Sequence, residues 1–339
     1  MIMERRDFLK QLWNFFLLIG GWPFLESSIS KELDGKSRIV IAHHPQVFNF
    51  NGTIETNVLQ YMIDEGMKAL TGKFTVREAW QFIFSDYEWG NVVGLKINCV
   101  TDLFPTHPEL VDVVSNGLTT LFPDNDIIVW DRQEMALLRA GYPINTSSAG
   151  VRYLATDSPG VSYDFHRSLI YNKLPYYVTS IVTTMCDFLV NLPVLKDHRV
   201  AGVTLGMKNF YGAITLNDFF PNDDPHIRMA HRNNCNPQIP YLNRIPEIKD
   251  KNRLIILDAL EGVYDGGPIA APQWQNNMLI LGCDPVAVDF IGMLLIELKR
   301  RENGLPSIIH KARYLRAAAF LGLGKINPKD IDLIILNLG

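Results

Sequence analysis

The sequence is poor in the features that mark the common function classes. It has four cysteines, Cys99, Cys186, Cys235 and Cys283, and none sits in a C-x-x-C pair. That spacing argues against a zinc ribbon and against an iron–sulfur cluster of ordinary ligation. There is no basic excess: Lys plus Arg is 32, Asp plus Glu is 36, and the formal net charge is −4. With no basic stripe either, a nucleic-acid partner is not expected. No apolar run reaches the roughly 20 residues that cross a bilayer, so no polytopic membrane domain is expected. The motifs G-x-S-x-G, H-E-x-x-H, the P-loop and the dinucleotide fingerprint are all missing. Their absence weighs against an ordinary serine hydrolase, a P-loop NTPase and a standard zinc protease. Internal repeats, low-complexity tracts and linker-like stretches are lacking too.

What is present is apolar material, 47% of 339 residues against 20% charged, enough to bury a substantial core. From Arg38 onward, β-branched runs alternate with helical patterns. Segments 38–42, 91–97, 126–130, 186–192, 253–257, 278–282 and 331–336 read as strands. A helix over 55–70 stops at Gly72, Thr75 with Glu78 forms a capping box, Pro108 opens a helix to 121, and another covers about 285–301. Continuous apolar strands alternating with helices predict an α/β fold, a mostly parallel sheet covered by helices on both faces. Residues 218–251, rich in Asn, Pro and charge, are expected as a long irregular excursion. One α/β domain is expected over 37–339, after a leader over 1–36.

That leader rests on Arg5-Arg6-Asp7-Phe8-Leu9-Lys10 and the uncharged run from Gln11 to Leu25. The pattern resembles the twin-arginine (Tat) export signal, with Glu4 where the signal has Ser or Thr. The resemblance implies the Tat translocase as a partner and a periplasmic or extracytoplasmic location. No Ala-x-Ala site follows, so retention as a membrane anchor stays open. The route carries folded proteins, often with a cofactor, which raises the expectation of a cofactor without identifying it.

In open α/β sheets, ligands bind beyond the carboxyl ends of strands. The residues following the predicted strands are Lys96 and Asn98 with Thr106 and His107, then Asp131, Lys196 with His198, Asp258, and Asp284 with Asp289. The stretch Gly202–Ile214, GVTLGMKNFYGAI, sets Lys208 and Asn209 among apolar neighbours, where a lysine is costly unless paired. Lys96, Lys196 and Lys208 with nearby amides are suited to a phosphate or carboxylate. We therefore assign Lys208, His198 and Lys96 as candidate catalytic residues. Asn98, Thr106, His107, Lys196, Asn209 and Asp131 are the candidate ligand-binding set. Asp258, Asp284 and Asp289 are the candidates for a divalent metal. The competing account is that each lysine pairs with an internal aspartate, among Asp131, Asp258 and Asp284. His226, His231 and Cys235 are spaced by five and four, which is not a recognised ligand set. Phe210 and Tyr211, beside Lys208, are candidates for a pocket wall.

The ordered elements Lys96-x-Asn98, Thr106-His107-Pro108, Leu192-Pro193-x-x-Lys196-x-His198, Lys208-Asn209-x-x-Gly212, Asp258-x-x-x-Gly262 and Gly282-x-Asp284-Pro285-x-Ala287-x-Asp289 resemble the bacterial and archaeal family named domain of unknown function 362. The similarity runs from about Val92 to Met293. Some relatives add a cysteine-rich ferredoxin-like segment, which this chain lacks, so cluster-based electron transfer is not carried over. The resemblance implies a fold and a site and no settled activity. The function expected is an exported enzyme holding a small anionic ligand, with a divalent metal as an option. The alternative is a non-catalytic cofactor- or metal-binding accessory protein of an exported redox system.

Overall fold

The computed structural model describes residues 35–171, 173–215 and 225–339. The expected leader thus falls outside the described residues except for its last two positions. The strands are β1 (Ser37–His43), β2 (Val93–Lys96), β3 (Ile127–Asp131), β4 (Arg152–Ala155), β5 (Tyr163–Tyr171), β6 (Leu174–Thr179), β7 (Phe188–Asn191), β8 (Val194–His198), β9 (Gly202–Val203), β10 (Asn252–Val263), β11 (Trp274–Gly282) and β12 (Ile331–Asn337). The main sheet runs β12-β1-β11-β10-β7-β2-β3-β4, with β8 on β10 and β9 on β8. From β10 through β7, β2 and β3 to β4 all neighbours are parallel, as are β1 with β12 and β8 with β10. Within the main row β11 is the exception, antiparallel to both β1 and β10. The protein is an α/β fold with a mostly parallel sheet.

Residue alternation divides the interior into two cores. Ile39 and Ile41 of β1 join one apolar cluster, while Val40 and Ala42 join the other; Ile255 with Leu257 and Leu254 with Ile256 of β10 split the same way. This is the period of two along a strand. Burial on both faces is why these strands are unbroken apolar runs. Each such Val, Leu or Ile side chain contributes about 1.5–3 kcal/mol by leaving water. Helices Thr56–Thr71 and Pro108–Leu118 cover one face, and helix Pro285–Glu302 covers the other. Helix Thr56–Thr71 ends at Gly72, whose φ of 70° is left-handed. Helix Val76–Ile83 starts from the Thr75–Glu78 capping box.

Two regions depart from the sequence expectation. The hairpin β5–β6 has no counterpart in the predicted strands, because β5 is mostly exposed and polar at Asp164, His166, Arg167 and Ser168. In the stretch expected as an irregular excursion, residues 225–251 form helices Pro225–Ala230, Gln238–Asn243 and Pro246–Lys249. Ile239, Leu242 and Ile248 from these helices enter the core. The first seven residues of that stretch lie outside the described residues. No helix among the described residues is long and apolar enough to cross a membrane.

Candidate functional site

Beyond the carboxyl ends of β2, β3 and β8 lies a cavity of about 590 Å³. Lys96, the last residue of β2, pairs across the sheet with Trp130 of β3 and Asn191 of β7. Asp131 ends β3 and His198 ends β8. Lys208 and Asn209 come from the short helix Leu205–Asn209. Lys96, Asn98, Asp131, His198, Lys208 and Asn209 all line the cavity.

Their chemistry differs sharply. Lys96 is buried and makes a 2.8 Å ion pair with Asp131. Its other hydrogen bonds go to the Ile97 carbonyl and, at 3.4 Å, to Asn209 Oδ1. An ammonium has three N–H groups, so Lys96 has none to spare for a ligand. Asp131 is equally engaged, accepting the backbone N–H of Cys99 at 2.7 Å and of Arg132 at 2.8 Å. The pairing with an internal aspartate, weighed above as the competing account, is therefore what Lys96 does. Gly212 exists at this point for close approach: a Cβ there would stand 2.6 Å from Asp131 Oδ1 and 2.9 Å from Lys96 Nζ.

An amide ladder fixes the floor. Asn98 donates to Asn209 Oδ1, Asn209 donates to Asn191 Oδ1, and Asn191 donates to the Gly206 carbonyl, at 3.0, 2.8 and 2.8 Å. Asn98 Oδ1 is buried with no hydrogen-bond partner among the described residues. Asn191, fully buried, was not foreseen. Its position at the carboxyl end of a predicted strand was the available signal.

Lys208 is the cation with unmet need. It is buried, and its Nζ stands 4.4 Å over the Tyr211 ring and 3.4 Å from His231 Nε2. No carboxylate among the described residues pairs with it. Burial pushes its pKa down from the usual amine range, and Arg132 acts in the same direction against Cys235. The two nearby imidazoles have assignable protons. His231 Nδ1 lies 2.9 Å from the Ile227 carbonyl and so donates, leaving Nε2 to accept from Lys208. His198 Nδ1 accepts the backbone N–H of Val200 and Ala201, both at 3.1 Å, which places its proton on Nε2. Burial, followed by Lys208 and His231, holds His198 well below its ordinary pKa. It is a neutral hydrogen-bond donor stacked 5.5 Å from His231. Arg132 and Arg139 also line the cavity, so among the described lining residues four cations face two carboxylates, Asp102 and Asp131. Neither arginine was foreseen, although Arg132 directly follows Asp131.

The remaining candidates lie elsewhere. Lys196 is fully buried beside the cavity, bonded to the Phe104 carbonyl at 2.6 Å, and burial lowers its pKa to about 7. Thr106 is internal, its hydroxyl donating to the Leu192 carbonyl and accepting from the Asn98 N–H. His107 pairs with Asp258 at 2.7 Å and with Glu261 at 3.5 Å. Burial works against its protonation, but Asp258 and then Glu261 outweigh this and raise the imidazole to about 10.

The metal assignment to Asp258, Asp284 and Asp289 needs correction, because the three do not meet. β11 is antiparallel, so its last residue, Gly282, pairs with Ile39 and Ile255 near the starts of β1 and β10. Asp284 therefore sits at the opposite edge of the sheet. It caps helix Pro285–Glu302 by accepting the N–H of Val286 and Ala287. Asp289 is fully buried and accepts the N–H of Gly206 at 2.7 Å and Met207 at 3.1 Å, with the Tyr314 hydroxyl at 3.1 Å. Those bonds hold the turn through Leu205, whose φ of 44° is unusual for a side-chain-bearing residue, and so position Lys208. No group of three or more His, Cys, Asp or Glu that could hold a metal occurs among the described residues. Of the other candidates, Tyr211 lines the cavity, whereas Phe210 is core. Cys283, adjoining Asp284, is exposed.

A family model described as "Domain of unknown function (DUF362)" matches residues 93–293. No curated protein matches the chain. One solved structure it resembles is titled as a crystal structure of a protein from Thermotoga maritima, a structural-genomics target. The identity is 12% and the TM-score 0.38, over 67% of this chain. This chain spans 58% of the length of that protein.

Proposed function

We propose, from the premise that this chain belongs to the family of the domain of unknown function DUF362, that its cavity binds a small phosphate- or carboxylate-bearing ligand and acts on it as an enzyme. The observation that carries this reading is Lys208: a buried ammonium on the cavity wall with no carboxylate partner among the described residues. A charge so placed is costly unless an anion meets it. Arg132 lies on the same wall, and the Nε2–H of His198 supplies a neutral donor. Lys208, whose pKa burial pushes down from the usual amine range, is the group suited to exchanging a proton with the ligand. Lys96 and Asp131 act as scaffold. Export by the twin-arginine route, from the Arg5-Arg6 pattern, is part of the proposal, and recovery of the native chain only from the cytoplasm would remove it.

The test is calorimetric titration with inorganic phosphate and short carboxylates. Lys208→Met is expected to weaken binding at least about thirtyfold, as for loss of one partner of a buried charge pair. Lys208→Arg, which keeps the charge, retains part of the affinity. Circular dichroism and unfolding curves establish that both variants fold. Wild-type protein that binds no anion, or a folded Lys208→Met protein that binds as wild type does, overturns the reading.

A further inference from the structure

We infer that the ligand is an amphiphile: an anionic head seated at Lys208 and Arg132, carrying an aliphatic body that lies against Val100, Met135 and Ile269. This rests on the anion reading of the same cavity and adds the rest of the molecule. Two observations lead to it. The first is size. A volume of about 590 Å³ falls in the range that holds drug-sized ligands and far exceeds what a bare phosphate or carboxylate fills.

The second is the distribution of polarity. The buried charged and amide groups, Lys96, Asn98, Asp131, Lys208 and Asn209, form the floor, while Asp102 and Arg139 are exposed on the outer segments. The outer lining includes Val100, Met135 and Ile269, which are 55%, 56% and 62% exposed. Single exposed apolar side chains are ordinary on a protein surface. These three come from separate segments, the loop after β2, helix Glu134–Arg139 and the loop after β10, yet border one opening. Leu103 and Leu138, also exposed, extend two of those segments, Leu138 lying three residues along the same helix face from Met135. A head bound through charge would leave this rim in water, whereas an alkyl chain attached to the head would cover it. The side chains are aliphatic and flexible, so they fit a chain better than a stacked ring.

The experiment titrates the folded protein with alkyl phosphates and alkyl carboxylates from methyl to hexyl, at concentrations below micelle formation. Affinity is expected to rise about two- to fourfold per methylene, the range for burial of a CH₂ at a partly open surface. Met135→Ser and Ile269→Ser are expected to flatten that slope, each still binding methyl phosphate. Lys208→Met lowers all members of the series together. A flat slope in wild-type protein that binds the methyl compounds overturns the amphiphile and leaves the anion site standing. A slope unaffected by both serine variants overturns it as well. Failure of every member to bind overturns the anion site itself and this inference with it.

Discussion

Lys96 and Lys208 show how two identical side chains in one cavity take opposite roles. Lys96 donates to Ile97, Asp131 and Asn209, so its charge is met inside the protein. Removing one partner of such a pair leaves the other charged and dry, which costs about 3–5 kcal/mol. Asp131→Asn is therefore expected to lose stability of that order in urea unfolding, and a loss below about 1 kcal/mol would show that the pair is not structural. Lys208 has no such partner among the described residues, and its substitution is expected to cost ligand affinity. From the sequence Lys96 was visible at the end of an apolar strand and Lys208 as a lysine among apolar neighbours. Which one was already paired was not visible, because Asp131 is 35 residues from Lys96 and the contact is made by strand register.

At the scale of elements, strand positions were largely legible and strand direction was not. A run such as Met278–Gly282 has the same period whichever way it points. Placing Asp284 with the other candidates assumed a parallel β11, and the antiparallel pairing moved it to the far edge. Its true role was available from local signals, since an aspartate followed by proline marks a helix start. Asp284→Ala is accordingly expected to cost about 1 kcal/mol through the lost cap, with anion affinity unchanged. A drop in affinity would reinstate Asp284 as a ligand-site residue. The hairpin strand β5 escaped detection for another reason: its apolar alternation at Tyr163, Phe165, Leu169 and Tyr171 is interrupted by the polar run His166-Arg167-Ser168, where the pairing register shifts.

At the scale of the whole molecule, most of the sequence candidates separate into the cavity and a neighbouring cluster, Lys196 with His107 and Asp258, which Glu261 joins, while Asp284 and Asp289 belong to neither. The rule of strand carboxyl ends found both because both follow strands, and only packing separates them. The second cluster gives the protein a distinctive pH dependence. His107 is raised to about 10 from 6.5. Its contribution is complete below about pH 6.5 and is lost as pH rises through 10. Lys196 is lowered to about 7 from 10.5. There the unfolded chain binds the extra proton, so stability rises with pH between about 7 and 10.5. Between pH 7 and 9 the two trends oppose each other, each up to about 1.4 kcal/mol per pH unit. Wild-type stability is expected to be nearly flat over that interval. Lys196→Met should unmask a fall with rising pH, and His107→Gln a rise. Urea unfolding at pH 7, 8 and 9 checks this: equal slopes in the two variants would show that the groups do not titrate against each other. The same Lys196→Met protein should keep its anion affinity, because Lys196 lies behind the cavity, not on its wall.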